Sequence, residues 1–96
     1  MFCYVRSNSV VSRMIAGELL IIPVRGGVGD LASIYGLNPV GSAIWQAIAQ
    51  PRTTDEIVDA IDQEFEGDRA KIQQDVELFL AEMNSAGLVK TVVATA

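Results

Sequence analysis

Short apolar runs bounded by turn residues mark the first part of the chain, and this pattern favours β-strands. Residues 10–16 and 19–24 form two such runs about a glycine turn, which predicts a β-hairpin. A third strand is predicted from Leu31 or Ala32 to Leu37, after a loop at residues 25–30 that contains three glycines. Residues 1–9 show no clear period, so both a loosely held arm and an edge segment remain open.

After Leu37 the apolar positions repeat every three to four residues, which is typical of amphipathic helices. Helices are predicted over residues 39–49, between residues 53 and 67, and over residues 69–86, with Gly87 as the stop signal. Each helix follows a residue whose side chain can accept a hydrogen bond from the first turn: Asn38, Thr53 and Asp68. Residues 88–93 can add a final short strand.

The two patterns together predict an α+β domain in which a small β-structure packs on three helices. The chain has 96 residues, which suits one hydrophobic core. The side chains expected to face that core are Ile44, Trp45, Ile48, Ile57, Val58, Ile61, Phe65, Ile72, Val76, Phe79, Leu80 and Met83.

Charge is distributed unevenly along the chain. Residues 1–52 carry four basic and two acidic residues, whereas residues 53–96 carry three basic and ten acidic residues. The helical half therefore has a net charge of −7, which phosphates would repel, and we expect no nucleic-acid partner. The chain has no apolar run long enough to span a membrane and no signal-peptide pattern, so we expect a cytoplasmic protein without a membrane partner.

No catalytic or metal-binding constellation is recognisable. The chain lacks histidine and has one cysteine, Cys3, so the usual metal-ligand sets and nucleophile–base pairs cannot be assembled. The acids of the second helix lie on its water-facing side, whereas a catalytic carboxylate pair needs a concave and partly dry site. The glycine-rich loop does not lead into Lys-Ser or Lys-Thr, as a phosphate-binding loop would. We therefore expect a binding module without a cofactor rather than an enzyme.

The third predicted helix has one apolar residue outside its buried stripe. At 100° per residue, Leu78 lies about 140° from the centre of that stripe, on a flank shared with Lys71, Asp75 and Glu82. A single exposed leucine is common on protein surfaces. The alternative interpretation is an apolar contact for a partner, beside charged side chains.

Several short motifs in order resemble the PqqD family, which includes the coenzyme PQQ synthesis protein D and peptide-recognition elements of ribosomal peptide modification systems. They are Leu37-Asn38-Pro39-Val40-Gly41-Ser42-Ala43-Ile44-Trp45, Arg52-Thr53-Thr54-Asp55-Glu56-Ile57, Asp75-Val76 with Phe79-Leu80, and Gly87-Leu88-Val89. The resemblance covers about residues 10–90, which predicts a recognition domain there, an arm at residues 1–9 and a tail at residues 91–96.

The resemblance implies a three-stranded antiparallel sheet packed on a winged helix-turn-helix. It also implies binding of the leader segment of a precursor peptide and its presentation to a modifying enzyme, often a radical SAM protein, for instance in PQQ biosynthesis. The leader would add to the third strand and lie beside the third helix. The strand edge is then Ala32, Ser33, Ile34, Tyr35 and Gly36. The groove wall, assigned from the helical wheel, is Lys71, Asp75, Leu78, Phe79 and Glu82.

Two other interpretations remain open. A winged-helix DNA-binding regulator would share the helical trio, although the acidic third helix argues against it. A structural or dimerising module would pair the open strand edge with its own copy. We expect a monomer or a weak homodimer.

Overall fold

The computed structural model describes residues 2–25, 28, 29 and 34–93. The elements in chain order are β1 (Phe2–Arg6), β2 (Val10–Ile15), β3 (Glu18–Arg25), β4 (Val28–Gly29), β5 (Tyr35–Leu37), α1 (Pro39–Ala47), α2 (Thr54–Glu64), α3 (Arg69–Ser85) and β6 (Val89–Val93). The α+β prediction is confirmed.

The main sheet is antiparallel and has β3 as its central strand. β2 pairs along one edge of β3, whereas β4 and β5 pair with different parts of its other edge, so the sheet is three strands wide. Ala16 and Gly17 form the two-residue turn between β2 and β3, with φ values of 53° and 81°. Positive φ at both positions matches the natural twist of paired strands, and the predicted hairpin is confirmed.

The third strand differs from its sequence prediction. Among the described residues it is β5, Tyr35–Leu37, which pairs with Leu19–Ile21, while Ile34 precedes the strand. Residues 31–33 lie outside the described residues. Val28 and Gly29, which we expected in a loop, instead pair with Arg25 and Val24 as β4. An apolar run shows which residues favour a strand but not where pairing with the neighbouring strand stops.

A second sheet joins the two ends of the described chain. β1 pairs antiparallel with β6, which confirms the final short strand. The other edge of β1 is also held, because Tyr4 and Arg52 exchange both backbone hydrogen bonds, at 2.7 and 3.0 Å. Residues 2–6 are therefore a strand. The division into arm, domain and tail stays a prediction, and β6 extends across its boundary at residue 90.

The helix boundaries follow the capping signals. Asn38 Oδ1 accepts the Gly41 N–H at 2.7 Å, and Thr53 and Glu56 form a reciprocal capping box. Asp68 Oδ1 accepts the Ala70 N–H at 3.1 Å. α3 ends in a Schellman motif, with Gly87 at φ 78° and the Leu88 N–H bonded to the Met83 carbonyl at 2.9 Å. α1 and α3 end slightly earlier than predicted.

The core lies between the main sheet and the helices. Its best-buried members include Trp45, Ile48 and Ile57, each at most 1% exposed, as the periodicity predicted. Two residues expected in the core, Phe65 and Phe79, are only half-buried and pack against its surface. None of the helices described is both long and apolar enough to cross a membrane.

Candidate functional site

A groove lies between α3 and the segment where β5 runs into α1, and it contains two adjoining cavities. The first, of about 260 Å³, lies between α1 and α3, and the second, of about 240 Å³, lies between β5 and α3. We call the two cavities and their lining the β5–α3 groove. Both cavities are lined by Asn38, Gly41, Phe79 and Glu82. Val40, Ile44, Asp75 and Leu78 complete the first, and Tyr35, Gly36, Leu37 and Met83 complete the second.

One face of α3 supplies the wall of the groove. Leu78, Phe79 and Glu82 follow Asp75 by three, four and seven residues, which places them on the same side of a helix. Leu78 is 61% exposed, as the helical wheel predicted. Phe79 is half-buried, so its ring belongs both to the edge of the core and to the groove. The wall therefore combines an apolar surface with two carboxylates.

Gly41 allows α1 and α3 to approach closely at the groove. A Cβ added at this position would lie 3.2 Å from Asn38 Oδ1 and 3.2 Å from Phe79 Cε2. Both distances are shorter than ordinary van der Waals contact, so an alanine would have to displace the cap side chain or the ring. Glycine at this position therefore lets the Phe79 ring lie close over the first turn of α1.

β5 lies beside the second cavity with one edge available. Its pairing with β3 uses one edge, and among the described residues no strand pairs with the other. Such an edge presents backbone N–H and C=O groups to which an extended peptide can bond. All three residues of β5 line the cavity that α3 closes from the other side. The groove thus combines a strand edge and a helix face.

The charged residues that line the groove are both acidic. Asp75 Oδ1 accepts a hydrogen bond from Lys71 Nζ at 3.1 Å, so this carboxylate is partly neutralised. Among the side chains that the structure describes, none forms an ion pair or hydrogen bond with the Glu82 side chain. The groove therefore carries negative charge, concentrated at Glu82.

The structure brings together six of the ten residues selected from the sequence. These six are Tyr35, Gly36, Asp75, Leu78, Phe79 and Glu82. Lys71 lines neither cavity but pairs with Asp75, and Ile34 is exposed but lines neither cavity. Ala32 and Ser33 lie outside the described residues. The role of all ten in binding stays a prediction.

The sequence prediction missed the contribution of α1 to the groove. The start of α1 lines it with Asn38, Val40, Gly41 and Ile44, and two further residues of β5 and α3, Leu37 and Met83, were also missed. Gly41 was the available signal, because glycine in the first turns of a helix is unfavourable unless close packing requires it. The sequence pattern indicates only a capping role for Asn38 and a core position for Ile44.

A larger cavity of about 710 Å³ lies between the β2–β3 turn, α1 and the end of α2. Its charged lining residues are Glu18 and Glu64. A Cβ on Gly36 would overlap the Glu18 carboxylate, so this glycine accommodates a side chain that lies across β5. In the part of the chain that the structure describes, no group of three or more acidic or cysteine side chains is placed to hold a metal ion.

Comparison with solved structures identifies two similar proteins. TbiB1, in complex with the TbiA(beta) leader peptide, is 31% identical with a TM-score of 0.75, and the alignment covers 95% of this chain and 99% of TbiB1. A lasso peptide synthetase B1 complexed with its leader peptide is 13% identical with a TM-score of 0.74, over 91% of this chain and 96% of that one. The second likeness shows a shared fold.

Comparison with curated protein sequences gave no match. The family model of coenzyme PQQ synthesis protein D (PqqD) matches residues 23–89, which is well over half of the chain. The matched stretch contains β5, all three helices and the complete described lining of the β5–α3 groove. The chain therefore belongs to the PqqD family.

Proposed function

We propose that this protein binds the leader segment of a ribosomally made precursor peptide and presents it to a modifying enzyme, without itself catalysing a reaction. The observation that carries the proposal is the position of β5, one edge of which no described strand pairs with, opposite the face of α3 on which Leu78 is exposed. The similarity to TbiB1, which was solved with a leader peptide bound, supports the same kind of ligand.

The leader adds to the sheet as a strand alongside β5. Its backbone bonds to the N–H and C=O groups of the open edge, which supplies affinity that is largely independent of sequence. Alternate side chains of a strand point to the same face, so every second leader residue faces the groove. Selectivity then comes from the side chains that fit beside Leu78 and Phe79.

The same proposal includes the assignment of the three helices to a winged helix-turn-helix. α2 packs against α3 after a short connection, and the β2–β3 hairpin carries several exposed residues, as a wing does. In this arrangement α3 contacts the leader peptide, whereas in a DNA-binding protein the same helix would enter a groove of the nucleic acid. The acidic lining at Asp75 and Glu82 disfavours phosphate contacts. A radical SAM protein is one candidate for the enzyme that receives the bound leader.

The exposed leucine on α3 offers a direct test of this binding mode. Peptides are first selected from a displayed library of random sequences against the native chain, and their affinities are then measured by fluorescence anisotropy. Leu78→Asp should weaken binding about tenfold or more, because it removes an apolar contact and adds charge to the wall. Far-UV circular dichroism should be unchanged, since Leu78 is outside the core.

The matched control is Gln73→Asp, which adds the same charge at an exposed position of α3 that lines neither cavity. We expect the affinity of this variant to stay within about twofold of the native value. Equal losses in the two variants would show that the charge of α3 matters but the groove does not. Unchanged binding by Leu78→Asp would contradict the proposed site.

A further inference from the structure

We propose that Glu82 makes the groove selective for a leader in which a lysine or arginine stands two residues from a large apolar residue. The apolar side chain fills the first cavity, and the basic side chain pairs with Glu82. This inference rests on the proposed function, because it specifies the ligand of the same site.

The first cavity fits an apolar side chain. Val40, Ile44, Leu78 and Phe79 supply its apolar lining, and Gly41 adds no side chain to it. A dry cavity of about 150 Å³ lined by such residues holds a benzene molecule in another protein. A cavity of about 260 Å³ that is open to solvent can therefore accept a leucine, phenylalanine or tyrosine side chain.

Glu82 differs from the other carboxylate of the groove in forming no ion pair with any side chain that the structure describes. Asp75 is paired with Lys71 at 3.1 Å, whereas no described residue pairs with Glu82. Glu82 also lines both cavities, so a strand lying in the groove passes it closely. A basic side chain there gains an ion pair that water screens less as the peptide covers the site. An acidic side chain would be repelled, which excludes competing peptides.

The spacing of the motif follows from the geometry of the helix and the strand. Leu78 and Glu82 are four residues apart on α3, which corresponds to a rise of about 6 Å. Residues i and i+2 of a strand are about 6.6 Å apart and point to the same face. A strand that runs along α3 therefore presents its apolar and basic side chains to Leu78 and Glu82 in succession.

The same displayed library tests this inference when it is selected in parallel against the native chain and three variants. The native chain should enrich lysine or arginine two positions from a large apolar residue. Glu82→Gln should lose the basic preference, and Glu82→Lys should replace it with aspartate or glutamate. Glu77→Lys makes the same charge change at an exposed site of α3 outside the groove, and it should retain the native preference.

A reciprocal exchange then assigns the contact. Changing the basic residue of a selected peptide to glutamate should weaken its binding to the native chain about tenfold. Glu82→Lys should restore that binding, whereas Glu77→Lys should not. Selected peptides that shift the amides of β5 and α3 without any basic preference would overturn the inference and leave the proposed function intact. Peptides that shift neither element would overturn both.

Discussion

At the scale of single residues, Gly41 and Phe79 determine the shape of the groove. The ring of Phe79 lies close over the first turn of α1 because Gly41 has no Cβ to oppose it. The sequence predicts Phe79 both in the apolar stripe of α3 and in the groove wall. A helical wheel gives the direction of this side chain, but it does not show the close contact with Gly41, which lies in a distant part of the chain.

The variant Gly41→Ala tests this close approach. The change ordinarily stabilises a helix by about 0.5–1 kcal/mol. Here we expect no gain in the free energy of unfolding and weaker binding of selected peptides, because the new methyl group forces Phe79 or the Asn38 side chain, which both line the groove, to shift. Urea unfolding and anisotropy titrations measure the two effects.

Ser42→Ala is the matched control, because Ser42 is also in the first turns of α1 but lines the larger cavity on the other side. It should leave peptide affinity unchanged. A Gly41→Ala protein whose free energy of unfolding rises by about 0.5–1 kcal/mol and whose affinity for the selected peptides is unchanged would disprove the role of this contact.

Capping residues, in contrast, were predictable from local sequence. Asn38, Thr53 and Asp68 each accept a hydrogen bond within three residues, so no tertiary information was required. The exposure of Leu78 was predictable for a similar reason, because the apolar stripe of α3 is regular. Val40 and Ile44 were not recognised as groove residues, because their neighbours across the groove come from a distant part of the chain.

At the scale of elements, α2 illustrates how a helix start responds to pH. The hydrogen bond from the Thr53 backbone N–H lowers the pKa of the Glu56 carboxyl from its usual value of 4.5. A carboxyl with a lowered pKa contributes stability above its unfolded pKa and loses it as the pH falls through the folded one.

Glu56→Gln provides the comparison for this effect, because glutamine can cap the helix but does not titrate. The difference in the free energy of unfolding between the native chain and the variant should be constant well above pH 4.5. As the pH falls below that value, the native chain should lose stability relative to the variant. Chemical unfolding at a series of pH values measures it. A difference that does not vary with pH would show that the capping box makes no charge-dependent contribution.

The extent of β5 shows where prediction of elements fails. β5 consists of two apolar residues and a glycine, all of which can be accommodated in a strand, and the same is true of Ile34 just before it. Only the partner strand decides where the pairing begins, and the paired residues of β3 lie 14 to 18 positions earlier. The helices were predicted more closely, because each carries its own start signal.

At the scale of the whole molecule, the β1–β6 sheet joins segments that are far apart in sequence. Cys3 is buried, Arg6 donates from Nε to the Trp45 carbonyl at 2.8 Å, and the Arg6 N–H bonds to the Ile48 carbonyl at 3.1 Å. Neither strand shows a regular apolar alternation, so their pairing could not be derived from the sequence. β1 instead contacts the end of α1, close to the tryptophan at the centre of the core.

Removal of residues 1–9 tests whether this segment is an arm or part of the domain. We expect the free energy of unfolding to fall by about 2 kcal/mol or more, because several backbone hydrogen bonds and a buried side chain are lost together. Thermal or urea unfolding of the truncated chain is the measurement. A truncated protein as stable as the full chain would support the arm predicted from sequence.

The most direct test of the central claim is an NMR titration of the labelled full chain with a peptide selected against it. The account predicts backbone amide shifts on β5, on the first turns of α1 and on the groove face of α3, together with contacts between the peptide backbone and β5. Shifts confined to α2 or to the β1–β6 sheet, with β5 and α3 unchanged, would contradict it.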